Sequence, residues 1–193
     1  EGLGSIYWHM VSKLVLGIQE TCWSAIHSGV DQSVLGRLLD HYYEAYEGIG
    51  VHKSPDLYGA FPTDPYSHTP ATKGAQQPGM TGQVKEDVLC RIGELGVFVE
   101  NGEIQFNTSL LRKEEFITES KTFNYTSVNG EEKSINLEPN TLCFTYCQIP
   151  IVYKLSDNEK LKVILNDVSV LEIHQLMLDK STSKQIFERT GII

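Results

Sequence analysis

The stretch Val97-Phe98-Val99-Glu100-Asn101-Gly102-Glu103-Ile104-Gln105-Phe106 is where the chain changes character. On both sides of Asn101-Gly102 the pattern has a period of two, as a strand with one buried face requires. Asn and Gly both accept positive φ, so the pair predicts a two-residue hairpin turn. Just upstream, Val84, Val88, Ile92 and Leu95 recur at helical spacing from Thr81 to Leu95, with Gly96 placed as a terminator. The expected fold class is therefore α+β, with antiparallel helices and a long loop in residues 1–95 and an antiparallel β-sandwich in residues 96–193.

Two further helices are expected toward the N-terminus. From Ser5, a candidate N-cap, to about Ile26, the residues Ile6, Met10, Leu14 and Ile18 recur every four positions beside Tyr7, Val11 and Val15. After Ser28-Gly29, Asp31 can cap a second helix with Val34, Leu35, Leu38, Leu39, Tyr42, Tyr43 and Tyr46 on one face, ended by Gly48 and Gly50. So short a connection predicts an antiparallel pair. Downstream, Asn129-Gly130 repeats the hairpin device between Lys121 to Val128 and Glu131 to Leu137. Strand-like runs occupy Thr141 to Leu155, Lys160 to Leu165 and Ser169 to Leu178.

Between these halves, residues 50–82 carry five of the seven prolines (Pro55, Pro62, Pro65, Pro70 and Pro78) and show neither period. A loop of this length in a folded domain is functional or disordered. Its aromatics Tyr58, Phe61 and Tyr66, and the lack of a charge run, favour an ordered loop pinned to a scaffold.

Composition narrows the partners. Sixteen basic against twenty-five acidic residues give a net charge of −9, which repels a polyphosphate backbone, so nucleic acid is excluded as an expected partner. No apolar run approaches the ~18 to 20 residues of a membrane span, and no signal-peptide pattern opens the chain. A soluble protein is expected, with the cytoplasm favoured over secretion or the periplasm. Because the chain opens on Glu1 and a helical pattern begins within five residues, it reads as part of something longer. Cys22, Cys90, Cys143 and Cys147 form no C-x-x-C pair and read as buried thiols. The sequons at Asn107 and Asn124 matter only in a eukaryotic secreted chain.

The candidate chemistry lies in the loop, where His52, Asp56, Asp64, Tyr66, His68, Gln76 and Gln77 gather. Carboxylates and amides make paired hydrogen bonds to vicinal hydroxyls, and aromatic faces cover the C–H side of a sugar ring. The same groups can instead serve the loop's own backbone, and Asp56 and Asp64 can cap turns at Ser54-Pro55 and Thr63. His52, Asp64 and His68 are acceptable metal ligands but match no ligand spacing, so neither a metal nor a cofactor is expected. The pair Asp56 and Asp64 supplies two carboxyls, but an inverting glycosidase requires a defined separation that sequence does not contain. Gly4-Ser5 at a helix start offers amides to an anion, as every helix start does.

The string Gly4-Ser5-Ile6-Tyr7-Trp8-His9-Met10, continuing to Leu16-Gly17-Ile18, resembles the helix opening near the end of the (α/α)₆ toroid in inverting disaccharide phosphorylases and related six-hairpin glycosidases. The loop from His52 to Pro70 and Gly74 to Gln83 looks like that of large bacterial proteins of the same superfamily, which end in a β-sandwich. The resemblance implies that the helices close a toroid, that Gly4 and Ser5 contact phosphate, and that the ligand is a carbohydrate. Asp64, Tyr66, His68, Gln76 and Gln77 are then the expected sugar contacts, with His52 and Asp56 beside them. The general acid of that family sits in an earlier helical segment, and the Pro-rich loop has no counterpart in the phosphorylases. The chain is thus expected to need the remainder of a parent protein for catalysis. A non-catalytic β-sandwich module that binds a partner or glycan is the alternative.

Overall fold

The computed structural model describes residues 8–47 and 84–193. The chain divides into two units, Glu1–Gly93 and Glu94–Ile193, each with its own internal packing. The N-cap expected at Ser5, the terminators expected at Gly48 and Gly50, and the loop 50–82 lie outside the described residues.

The first unit holds α1 (Trp8–His27), α2 (Gln32–Glu47) and all but the last two residues of α3 (Val84–Leu95). Helix α1 ends in a Schellman motif. Gly29 takes φ +64, its N–H donates to Ile26 O, and Val30 N–H donates to Ala25 O. Asp31 then caps α2 as expected, its carboxylate accepting from Ser33 N at 2.9 Å. The two helices run antiparallel, since Cys22 meets the carbonyl of Leu38 while the earlier Gln19 meets the later Tyr42.

The buried stripe of α1 differs from the one its apolar period predicts. Ser12, Val15, Gln19, Cys22 and Trp23 are buried, whereas Leu14 is 63% exposed. The helix is rotated so that a glutamine, rather than the full aliphatic row, faces its neighbours. The reason is hydrogen bonding, described below. No helix among the described residues is long and apolar enough to cross a membrane.

In the second unit the antiparallel strands form four consecutive hairpins, β1 (Val97–Glu100) with β2 (Glu103–Phe106), β3 (Lys121–Thr126) with β4 (Glu132–Leu137), β5 (Thr141–Tyr146) with β6 (Ile149–Lys154), and β7 (Leu161–Ile164) with β8 (Val170–Ile173). Each hairpin is its own two-stranded sheet. Gly96 ends α3 at φ +68, and Asn107 N–H donates to its carbonyl at 2.8 Å, closing the first hairpin at its base. At the other end Asn101 and Gly102 both take positive φ, as expected, with Glu100 opposite Glu103.

Two turns, one strand and one helix depart from the sequence-based expectation. The Asn129-Gly130 turn has three loop residues, because Ser127 and Glu131 close it (Ser127 N to Glu131 O, 2.8 Å) and only Gly130 sits at positive φ. This is a type I turn with a glycine bulge. The run Thr141 to Leu155 is two strands joined by Cys147-Gln148, both at positive φ without glycine or asparagine. The run Ser169 to Leu178 stops as a β8 strand at Ile173. Its continuation pairs instead with β2, through Phe106 N to Leu176 O and Leu178 N to Ile104 O, both 2.8 Å. A further helix, α4 (Lys180–Phe187), follows, with Asp179 as N-cap accepting from Thr182 N at 2.7 Å.

This C-terminal stretch links hairpins that otherwise pair only with themselves. Buried Ser183 of α4 accepts from Ile104 N at 3.0 Å, Arg189 donates to Gln148 Oε1, and Ile192 O accepts from Asn166 N at 2.9 Å. Tyr153 adds a second link, donating to Leu95 O at 2.6 Å and meeting Phe106 and Phe144 edge-on.

The β7–β8 turn repeats the β3–β4 turn bond for bond, with Leu165 and Ser169 in the places of Ser127 and Glu131. Where the first has Gly130, the second has Val168 at φ +68, with 79% of its surface exposed. Left-handed backbone costs an ordinary residue about 1 to 2 kcal/mol, and Val is β-branched. Val168→Gly is therefore expected to raise stability by about 1 kcal/mol, after the entropy that glycine adds to the unfolded chain. Urea unfolding of both proteins checks this, and an unchanged or lower midpoint would count against a strained turn.

Candidate functional site

The residues expected to contact ligand, Gly4, Ser5, His52, Asp56, Asp64, Tyr66, His68, Gln76 and Gln77, all lie outside the described residues. Within the described part, the residues brought together from separate elements form a polar seam in the helical unit. Gln19 of α1 projects its amide between α2 and α3, donating to Tyr42 Oη at 2.9 Å and to the main-chain carbonyl of Cys90 at 2.7 Å. Both N–H bonds of that amide are thereby used. Gly93, one turn beyond Cys90, leaves the space the amide occupies, since a β-carbon there would stand 2.0 Å from Gln19 Oε1. Tyr42 is fully buried and packs against Tyr43 edge-on and Tyr46 face-on.

Glu86 lies on the same face of α3 as Cys90, one turn earlier, and is buried. A carboxylate in a first helical turn is favoured by the aligned N–H groups there. Its Oε1 is 3.9 Å from Lys85 Nζ, while Oε2 is buried and makes no hydrogen bond among the described residues.

Neither Gln19 nor Glu86 stands out in the sequence. The available signal was weak: Gln19 falls four residues after Val15 and three before Cys22, at a core position of the helical period. The seam acts by positioning. One amide, tied to an aromatic hydroxyl and a backbone carbonyl, joins three helices at fixed heights along their axes. Among the described residues no group of three or more His, Cys, Asp or Glu side chains is arranged to hold a metal ion.

The thiols divide. Cys22 and Cys90 are buried, as expected, whereas Cys143 and Cys147 are only partly covered because the β5–β6 hairpin is a two-stranded ribbon. Burial raises the pKa of Cys22, and it pushes the Cys143 thiol up to about 11. Burial also raises the Tyr153 phenol well above its usual range. In each case the folded form holds a proton that the unfolded chain gives up at lower pH, so stability falls as pH rises. For Cys143 the loss begins near the ordinary thiol value of 9.0 and is complete past about 11. Thermal melts across that window are expected to decline for the native protein and less steeply for Cys143→Ala, with the Tyr153 loss remaining in both at the alkaline end. Parallel curves would contradict a Cys143 contribution.

The two sequons also differ. Asn107 Oδ1 accepts from Ser109 N at 3.1 Å and from Ser109 Oγ at 2.6 Å, forming a closed local turn, whereas Asn124 is exposed on β3.

No protein-family model matches the chain, and no curated protein matches it.

Proposed function

We propose that this chain is the C-terminal portion of a carbohydrate-active protein of the glycoside hydrolase or phosphorylase kind. In this proposal α1 to α3 are the last helices of an α/α toroid, the loop 50–82 supplies glycan contacts, and the four hairpins belong to a supporting β-sandwich. The observation that carries it is apolar surface on all three helices: Leu14 on α1, Val34 on α2, and Val88 with Leu89 on α3 are exposed. Exposed aliphatic side chains on adjacent helices are what further helices of a larger body would cover. The amide-locked register of the three helices supports the same idea, because a toroid must hold its loops in place to present ligand contacts. The glycan assignment itself rests on the donor and acceptor set of the loop, Asp64, Tyr66, His68, Gln76 and Gln77, with His52 and Asp56 beside it.

Two measurements test this. The isolated chain is expected to release no reducing sugar from disaccharide or oligosaccharide panels, since a toroid's catalytic groups come from several hairpins. Measurable turnover would overturn that. In the parent protein, Asp64→Ala and His68→Ala are each expected to weaken oligosaccharide binding about tenfold or more, as loss of a charged hydrogen bond does. Unchanged binding with folding intact would leave the loop as scaffold.

A non-catalytic glycan or partner module in the β unit has one observation of its own. Phe123 and Tyr125 lie on the same face of β3, with ring centroids 6.3 Å apart and planes 18° apart, opposite Ile135 and Lys133 of β4. Binding that survives Asp64→Ala and His68→Ala but is lost in Phe123→Ala and Tyr125→Ala would select this alternative.

A further inference from the structure

We propose that Asn101 is a site of spontaneous deamidation in the folded protein, and that Asn129, in the chain's other Asn-Gly pair, is protected by the turn that holds it. In this reaction the main-chain nitrogen of the following glycine attacks the asparagine side-chain carbonyl carbon. The new C–N bond forms as the old one breaks, and the side-chain nitrogen leaves as ammonia carrying the proton from the attacking amide. Water then opens the cyclic imide at one of its two carbonyls, giving aspartate or isoaspartate. The attacking N–H must be free, and a following residue without a side chain lets it approach.

Both pairs satisfy the second condition, and both are exposed at hairpin tips. They differ in the first. Gly130 N–H donates to Ser127 O at 2.9 Å inside its three-residue loop. In the two-residue turn Gly102 N–H has no acceptor among the described residues, because the ladder bonds run between Glu100 and Glu103 on either side of it. The two turns, similar in sequence, therefore expose the nucleophile at one site and occupy it at the other.

The consequence is also local to Asn101. Conversion places a new carboxylate between Glu100 and Glu103, which already stand opposite each other in register. Isoaspartate also lengthens the main chain by one carbon in the turn that sets the β1–β2 register. Strand β2 is the edge that receives residues 176–178 and the Ser183 hydroxyl, so the lesion sits beside the joint that links the hairpins.

The test is incubation of the intact chain at mildly alkaline pH, followed by digestion, enzymatic methylation of isoaspartate and mass spectrometry of both peptides. A urea-unfolded sample serves as the reference. Isoaspartate is expected to accumulate about fivefold faster at 101 than at 129 in the folded protein, the factor for opening one hydrogen bond of about 1 kcal/mol, and at similar rates in the unfolded one. Equal or faster conversion at 129 in the folded protein would overturn the proposal. So would a folded Asn101 that stays intact while the unfolded chain converts, or a difference between sites that persists in urea.

Discussion

Replacing Gly96 with alanine is expected to destabilise the β unit by about 4 kcal/mol, at the top of the range for single substitutions. Two costs combine. The backbone at Gly96 has φ +68, which costs an L-residue about 1 to 2 kcal/mol. In addition, the new β-carbon would lie 1.6 Å from Asn107 O and 2.3 Å from Asn107 C, both main-chain atoms. Side chains can turn away from a clash, but this carbonyl cannot move without loosening the Asn107 N to Gly96 O bond that closes the β1–β2 hairpin. Gly29→Ala provides the control, since that residue is also left-handed, at φ +64, with nothing within 4 Å of its would-be β-carbon. It should lose only the conformational part, about 1 kcal/mol. Denaturant unfolding followed by circular dichroism separates the two, and a Gly96→Ala cost no larger than that of Gly29→Ala would remove the steric argument.

The second large effect is a change of sign. Gly93→Ala is expected to cost about 2 to 4 kcal/mol in the native sequence, because the added methyl displaces the Gln19 amide and leaves buried hydrogen-bonding groups at Tyr42 and Cys90 short of their donor. In a Gln19→Ala background the obstacle is gone. There the same Gly93→Ala substitution should be neutral or stabilising by up to about 1 kcal/mol, the helical preference of alanine over glycine. A double-mutant cycle on the four proteins reads the coupling directly. If Gly93→Ala costs the same with and without Gln19, the seam does not set the helix register.

What the amino-acid sequence determined by itself is the set of features whose physics is complete within a few residues. Asn101-Gly102 makes its hairpin, Gly96 ends α3, and Asp31 caps α2, because positive φ and a cap hydrogen bond depend only on immediate neighbours. The glycan contacts proposed for residues 50–82 rest on composition alone, because those residues fall outside the described structure. Only the tertiary structure decided which face of α1 is buried, because the partners of Gln19 lie 23 and 71 residues away. It also decided that Cys147-Gln148 turns a continuous strand-like run back on itself, and that residues 176–178 leave β8 to pair with β2. A hydrophobic period reports burial averaged along a face. It carries no record of the distant acceptors that offset the desolvation cost of burying a polar side chain.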